Sequence, residues 1–265
     1  MSAAAERLEA LLALMRRLRD PEQGCEWDRA QDFTSIAPYT IEEAYEVADA
    51  IARADRDALR DELGDLLFQV VFHARLAEER GWFDFAAVAA GIHDKLVRRH
   101  PHVFAPERQV AGESLGQSWE RHKAAERADR GQQGALDGVP VGLPALTRAA
   151  KLGRRAARVG FDWPDVVGVR AKIEEELAEL AAAHADPALH DTLSEELGDV
   201  LFSLTNLARH LKLDPEQALR SANDKFLRRF AHMEAAVGDG RALQALSAAE
   251  WEQLWQQAKR AERDG

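Results

Sequence analysis

Glu62-Leu63-Gly64-Asp65-Leu66-Leu67-Phe68 returns, nearly letter for letter, as Glu196-Leu197-Gly198-Asp199-Val200-Leu201-Phe202. Glu42, Glu43 and Glu46 stand upstream of the first copy, and Glu175, Glu176 and Glu179 upstream of the second. Each half of the chain therefore reads Glu-Glu-x-x-Glu, a gap, then Glu-x-x-Asp. Spacings of three and four put carboxylates on one face of a helix. Gaps of 15 and 16 residues leave room for the chain to turn and bring a second helix back antiparallel to the first. Four acids then converge from two helices, and oxygen-only clusters of that kind suit Mg²⁺ or Mn²⁺.

Repulsion sets the weight of this reading. Two like charges ~4 Å apart repel by roughly 4 kcal/mol at an effective dielectric near 20. Four acids packed together without a cation are a costly way to build a core. For any single Glu-x-x-Glu a solvated acidic face is the commoner explanation. Glu43 has a further one, because Thr40-Ile41-Glu42-Glu43 reads as a capping box. Thr192-Leu193-Ser194-Glu195 reads the same way, which leaves Glu195 outside the site. Apolar neighbours in both Glu-Leu-Gly-Asp stretches set acids beside residues that favour burial, and this twofold placement favours metal.

The repeat extends past the acids. Glu62 to Arg75 aligns with Glu196 to Arg209 at an offset of 134, and Asp94 to Arg99 with Asp224 to Arg229 at 130. Trp119, Lys123 and Ala125-Glu126-Arg127 match Trp255, Lys259 and Ala261-Glu262-Arg263 at 136. A period of about half the chain is a domain duplication rather than a solenoid. The expected organisation is a first unit over 1–129, a Gly/Pro-containing linker over 130–144 and a second unit over 145–265.

With 265 residues the chain can bury a core in each unit. A net charge of −11 disfavours non-specific binding to nucleic acid or an anionic membrane. An acidic chain that handles phosphates needs a cation between them. The single cysteine, Cys25, rules out an intrachain disulfide framework and points to a reducing cytoplasm. It reads as a small buried residue, since no base stands beside it in the sequence. No apolar run approaches membrane-spanning length, and the N-terminus carries no signal-peptide core.

Helical periodicity runs almost throughout, with no alternating strand pattern, so the expected fold class is all-α. Leu8, Leu11, Leu12, Met15 and Leu18 define a helix over 4–19. A loop from Gly24 to Tyr39 follows, then helices over 41–54, 57–80, 84–99 and 117–129. The second unit repeats the order over 145–158, 165–185, 192–212, 215–236 and 248–263. Asp214-Pro215 supplies an N-cap and an N1 proline, and Ser247 with Glu250 a capping box.

Glu-Glu-x-x-Glu followed by Glu-x-x-Asp, with Asp-Lys-x-x-x-Arg downstream, resembles the MazG family of nucleoside triphosphate pyrophosphohydrolases. Two tandem units, Asp20-Pro21-x-x-Gly24-Cys25-x-Trp27-Asp28 and Arg98-Arg99-His100-Pro101-His102-Val103-Phe104 resemble its full-length bacterial form. Glu26 departs from the proline common in the family between the Cys and the Trp. The resemblance implies Mg²⁺-dependent hydrolysis of a (deoxy)nucleoside triphosphate to monophosphate and diphosphate, a nucleotide-pool housecleaning activity, and a homodimer. A toxin–antitoxin partner is a family association only. In the second unit it implies metal ligation by Glu176, Glu179, Glu196 and Asp199. Lys172, Lys225 and Arg228 would then contact the phosphates and Trp255 the nucleotide. In the first unit the matching metal set is Glu43, Glu46, Glu62 and Asp65, with Lys95, Arg98 and Trp119 toward nucleotide. Pro38 or Tyr39 stands where Lys172 would be matched, so the first site is expected to be the weaker, and the resemblance implies that the second unit is the principal active one.

The residues fit that chemistry on their own account. Hydrolysis between the α and β phosphates needs neutralised charge and an activated water, both of which metal supplies. Lys225 and Arg228 suit the charge on a leaving diphosphate, and Glu175 is a candidate general base. Lys225 and Arg228 taken alone are equally ordinary surface cations, and Trp119 and Trp255 equally core or interface anchors. A di-iron helical bundle needs Glu-x-x-His pairs, and no Glu here has His three residues later. A non-enzymatic nucleotide-binding or regulatory protein is the alternative, disfavoured because both acid sets are complete.

Overall fold

The computed structural model describes residues 2–105, 116, 121, 126, 131, 134–238 and 243–264. The described residues are helical with no strand, so the protein is all-α. Met1–Ala125 and Glu126–Gly265 form two compact units. The helix expected over 117–129 lies largely outside the described residues, and Trp119 lies outside them.

The first unit contains α1 (Ala3–Leu18), α2 (Glu26–Ala30), α3 (Phe33–Ala52), α4 (Arg56–Glu79), α5 (Phe85–Arg99) and a short α6 (Pro101–Phe104). Helices α3 and α4 pack along each other as a hairpin, with α1 and α5 also against α4. Asp55 caps α4 through the Ala58 N–H, 3.1 Å from its carboxylate. The core is Met15, Ile36, Val71, Phe72 and Leu76, flanked by Leu11, Leu12, Phe33, Phe68 and Phe85.

Helix α3 begins eight residues earlier than the sequence suggests. Asp32 accepts from the Thr34 and Ser35 N–H groups, while the Ser35 hydroxyl is 2.9 Å from the Asp32 N–H, a complete capping box. That cap starts a helix which runs through Pro38. The proline lacks the N–H that would bond the Thr34 carbonyl. Thr40 is therefore mid-helix, and its hydroxyl meets His73 Nε2 at 2.9 Å rather than capping anything. Part of the expected Gly24–Tyr39 loop is also helical, as α2.

Cys25 is exposed, not buried. It is the N-cap of α2, and its N–H bonds back to the Leu18 carbonyl at 2.8 Å, which turns the side chain outward. Gly24 is required by close approach: a Cβ there would lie 2.4 Å from the Leu18 carbonyl oxygen. Arg19 ties this loop down. Its guanidinium chelates Glu79 of α4 at 2.9 and 2.7 Å, donates to the Asp28 and Gln31 carbonyls and sits 5.4 Å from the Phe72 ring centre.

The second unit contains α7 (Ala145–Arg158), α8 (Val166–Ala185), α9 (Leu193–His210), α10 (Pro215–Val237) and α11 (Ala248–Asp264), with a 3₁₀ turn over Pro187–Thr192. Helices α8 and α9 repeat the α3–α4 pairing, α7 lies on α9, and α10 pairs with α11. Gly153 lets α7 approach closely, since a Cβ would sit 2.6 Å from Asn206 Oδ1. Arg209 and His210 grip Asp162 and hold its carboxyl well below the usual carboxylate range, the Arg209 hydrogen bonds leading. Asp214 caps α10 and Ser247 with Glu250 caps α11 as expected. Thr192 makes no capping box. Its hydroxyl donates to the Leu189 carbonyl at 2.9 Å, because the preceding 3₁₀ turn offers that acceptor.

Candidate functional site

Each helix pair carries a carboxylate cluster at the expected place. In the first unit Glu43 of α3 meets Glu62 and Asp65 of α4; in the second Glu176 of α8 meets Glu196 and Asp199 of α9. Within each trio one carboxylate oxygen per residue lies within 4.8 Å of the others. Oxygens bound to one Mg²⁺ at ~2.1 Å lie at most about 4.2 Å apart, so small rotamer adjustments complete a binding geometry. The donors are all carboxylate oxygen, the set a hard divalent cation prefers.

Electrostatics mark the same residues. Burial first, then the Asp65 and Glu46 charges, push the Glu43 carboxyl above its ordinary value, and Glu43 shares a hydrogen bond with Glu46. Burial, Glu46 and Asp65 raise Glu62. Burial and Glu176 raise Glu179, with Lys172 pulling the other way. Crowded acids that resist ionising are what a cation would relieve. Glu46 and Glu179 lie outside the tight trios but within their field.

The cations are placed less uniformly. Lys172 Nζ lies 2.8 Å from both Glu175 and Glu176, which together push its amine above the ordinary lysine value. Glu175 is exposed, while Glu176 is buried. On α10, Lys225 is exposed and has no ion pair among the described residues. Arg228 is held by Glu262 of α11 at 3.2 Å, and Arg229 by the same carboxylate at 2.7 Å. Trp255 of α11 lies 5.7 Å from Phe226 and under the Arg229 guanidinium at 5.4 Å. Among the described residues, no ion pair joins Lys225 or Arg228 to the carboxylate trio, and the ring contacts of Trp255 are with Phe226 and Arg229. Lys95 is half-buried and Arg98 exposed on α5.

Glu262 escaped the sequence reading as a partner of Arg228, although its recurrence as Glu126 in the duplicated Ala-Glu-Arg was a visible signal. Arg19 carried no motif signal at all. The leucines beside the acids are not buried as their pattern suggested: Leu63, Leu67, Leu197 and Leu201 are exposed.

Residues 31–104 and 168–233 each match the MazG nucleotide pyrophosphohydrolase domain. The chain belongs to the MazG family. It is 51% identical over 262 residues to the nucleoside triphosphate pyrophosphohydrolase of Escherichia coli K12, covering 97% of this chain and 98% of that one. It is 45% identical over 263 residues to the nucleoside triphosphate pyrophosphohydrolase/pyrophosphatase MazG of Thermotoga maritima, covering 98% of each. A nucleoside triphosphate pyrophosphohydrolase of Mycolicibacterium smegmatis is 34% identical over 238 residues, 89% of this chain and 62% of that one. The two domain matches contain both carboxylate trios, so the duplication seen in the sequence is a duplication of MazG domains.

Proposed function

We infer that this MazG protein is a hydrolase that converts (deoxy)nucleoside triphosphates to monophosphate and diphosphate with Mg²⁺, a housecleaning role in the nucleotide pool of the cytoplasm. The observation that carries this is the convergence of Glu176, Glu196 and Asp199 from two helices, bordered by Glu179 and Lys172. Residues 1–129 and 145–265 are the two working units, with 130–144 linking them. The second is the principal one, because Lys172 brings a cation to its acids.

Water adds to a phosphorus of the α–β anhydride, and the bond from that phosphorus to the bridging oxygen breaks. Bound at Glu176, Glu179, Glu196 and Asp199, Mg²⁺ would supply charge neutralisation and a more acidic water. Glu175, exposed and joined to Lys172, takes the proton of the attacking water. Lys225, with no counter-ion among the described residues, receives the charge of the departing diphosphate, and Arg228 does so after loosening from Glu262. The first unit's Glu43, Glu46, Glu62 and Asp65, with Lys95 and Arg98, form a second site of the same kind. The exposed leucines flanking both trios are covered by a second copy of the chain in a homodimer.

Product analysis with a panel of NTPs and dNTPs tests the reaction. Monophosphate and diphosphate form with Mg²⁺ and disappear with EDTA. Monophosphate-free products, diphosphate plus phosphate, would place the cleaved bond elsewhere. Absence of turnover with any nucleotide would favour a regulatory binding protein instead.

The raised carboxyls give a pH signature. An acid whose folded pKa lies above its unfolded value makes the folded state bind protons more tightly, so stability rises as pH falls through that folded pKa. Without metal, the chain gains thermal stability from these groups as pH drops from neutrality toward 4.5, the ordinary glutamate value. Mg²⁺ raises the melting temperature more at pH 7.5 than at pH 5.5, because protons and metal compete for the same oxygens. An equal shift at both pH values would separate the metal from these carboxylates.

A further inference from the structure

The two carboxylate sites differ at one register position. Four residues before Glu176 stands Lys172, whose Nζ bonds Glu175 and Glu176. Four residues before Glu43 stands Tyr39, on the same face of α3 one turn away. Helical continuity through Pro38 fixes this register, which the sequence left open between Pro38 and Tyr39. Where the second unit keeps a cation, the first presents an aromatic ring.

Tyr39 is not alone. The Trp27 ring packs edge-on against it, centroids 6.1 Å apart at 70°. Both rings stay open to solvent, Trp27 51% and Tyr39 40% exposed. The Tyr39 hydroxyl has no hydrogen-bond partner among the described residues. Two large rings set at a steep angle and left half wet form a wall, and the loop behind them is held firmly. Gln31 Nε2 donates to the Trp27 carbonyl at 2.9 Å, Arg19 grips the Asp28 and Gln31 carbonyls, and Gly24 lets the chain turn tightly beneath. In the second unit the tryptophan of the corresponding loop, Trp163, has another task. It packs at the start of α8, its Cδ1 3.1 Å from where a Gly168 Cβ would be.

We propose that Trp27 and Tyr39 form a nucleobase-stacking wall at the first unit's carboxylate cluster, so that this unit holds a nucleoside triphosphate largely by its base. This rests on reading Glu43, Glu62 and Asp65 as a metal–triphosphate site. Every base has a π-face, so stacking on Trp27 tolerates sequence and favours the larger purines over pyrimidines. The second unit, with Lys172 in this register, holds its ligand more through phosphate.

The test uses the full chain carrying Glu196→Gln and Asp199→Asn, which silences the second trio. Three ligands are titrated: Mn²⁺ followed by electron paramagnetic resonance, and inorganic tripolyphosphate and a non-hydrolysable α,β-methylene dATP, each with Mg²⁺, followed by calorimetry. In this background Trp27→Ala weakens the nucleotide analogue about tenfold or more, the size expected for loss of one stacked base. Mn²⁺ and tripolyphosphate affinities stay unchanged, and Trp27→Phe restores most of the nucleotide affinity. Tyr39→Lys moves the unit toward the second one's behaviour, tightening tripolyphosphate and flattening the purine preference. Equal loss of nucleotide and tripolyphosphate, or no loss of either, overturns the stacking wall. So does a Trp27→Ala chain that only changes its sedimentation as a dimer, which would make the wall an interface. Mn²⁺ binding insensitive to Glu62→Gln would remove the underlying metal site, a failure distinct from loss of stacking alone.

Discussion

Asp199→Ala and Glu196→Ala each lower Mg²⁺-dependent turnover by about 100-fold to 1,000-fold. Even residues that merely support a metal ligand typically contribute 10–100-fold, and these two are proposed as ligands themselves. Each variant keeps its fold. Asp199 is exposed and Glu196 half-buried, and both stand in a cluster of like charges. Removing either one relieves repulsion in the metal-free state, so the melting temperature without Mg²⁺ holds or rises slightly. The Mg²⁺-induced rise in melting temperature shrinks. Steady-state kinetics and thermal unfolding on the same preparations separate lost chemistry from lost structure. Glu62→Ala is the contrasting control: it changes the rate little if the second unit carries turnover. Substantial Mg²⁺-dependent turnover in Asp199→Ala and Glu196→Ala would sink the second-unit assignment, and a large loss in Glu62→Ala would show that the first unit works or supports the second.

Phe72→Ala destabilises the first unit by about 3–5 kcal/mol, the range for truncating a fully buried phenylalanine. The Phe72 ring is 0% exposed, meets Phe68 edge-to-face at 5.9 Å and lies under the Arg19 guanidinium. Its loss opens a cavity among Met15, Ile36, Val71 and Leu76. It also removes the ring that the Arg19 guanidinium covers. Against a typical domain stability of roughly 5–15 kcal/mol, that is enough to split the urea unfolding curve into separate transitions for the two units. The residue at the equivalent position in the second unit is Asn206, buried and bonded to Arg209 at 3.2 Å. Its truncation removes a polar contact, and a smaller loss is expected. A cost below about 1 kcal/mol for Phe72→Ala would contradict the packing around this ring.

Much of this is legible in the sequence. The i, i+3, i+4 spacing of acids is a property of helical geometry alone, so each pair of acids on one helix face was legible. Of the four expected per unit, Glu43, Glu62 and Asp65 and Glu176, Glu196 and Asp199 come together, while Glu46 and Glu179 stand just outside, because the hairpin packing decides which carboxylates meet. Caps whose partners lie three residues away were readable for the same reason, as with Asp214 and Ser247. Thr40 and Thr192 were misread because a capping signature does not say whether a helix has already begun. Asp32 and Ser35 start α3 upstream, and the energy of a full capping box plus a packed hairpin outweighs the one backbone bond that Pro38 removes.

The duplication, the helical class and three acids of each carboxylate cluster could be read from the chain alone, since each follows from repeated residues or from helical periodicity. Tertiary structure alone decided the rest, because it depends on which side chains meet across helices far apart in sequence. It turned Cys25 outward, made Arg19 the tie between α1, α4 and the Trp27 loop, and committed Arg228 to Glu262. It also set Lys172 on the acids of one unit and paired the exposed Trp27 and Tyr39 rings in the other. A helix face is encoded locally, whereas what that face touches is settled only when the whole unit packs.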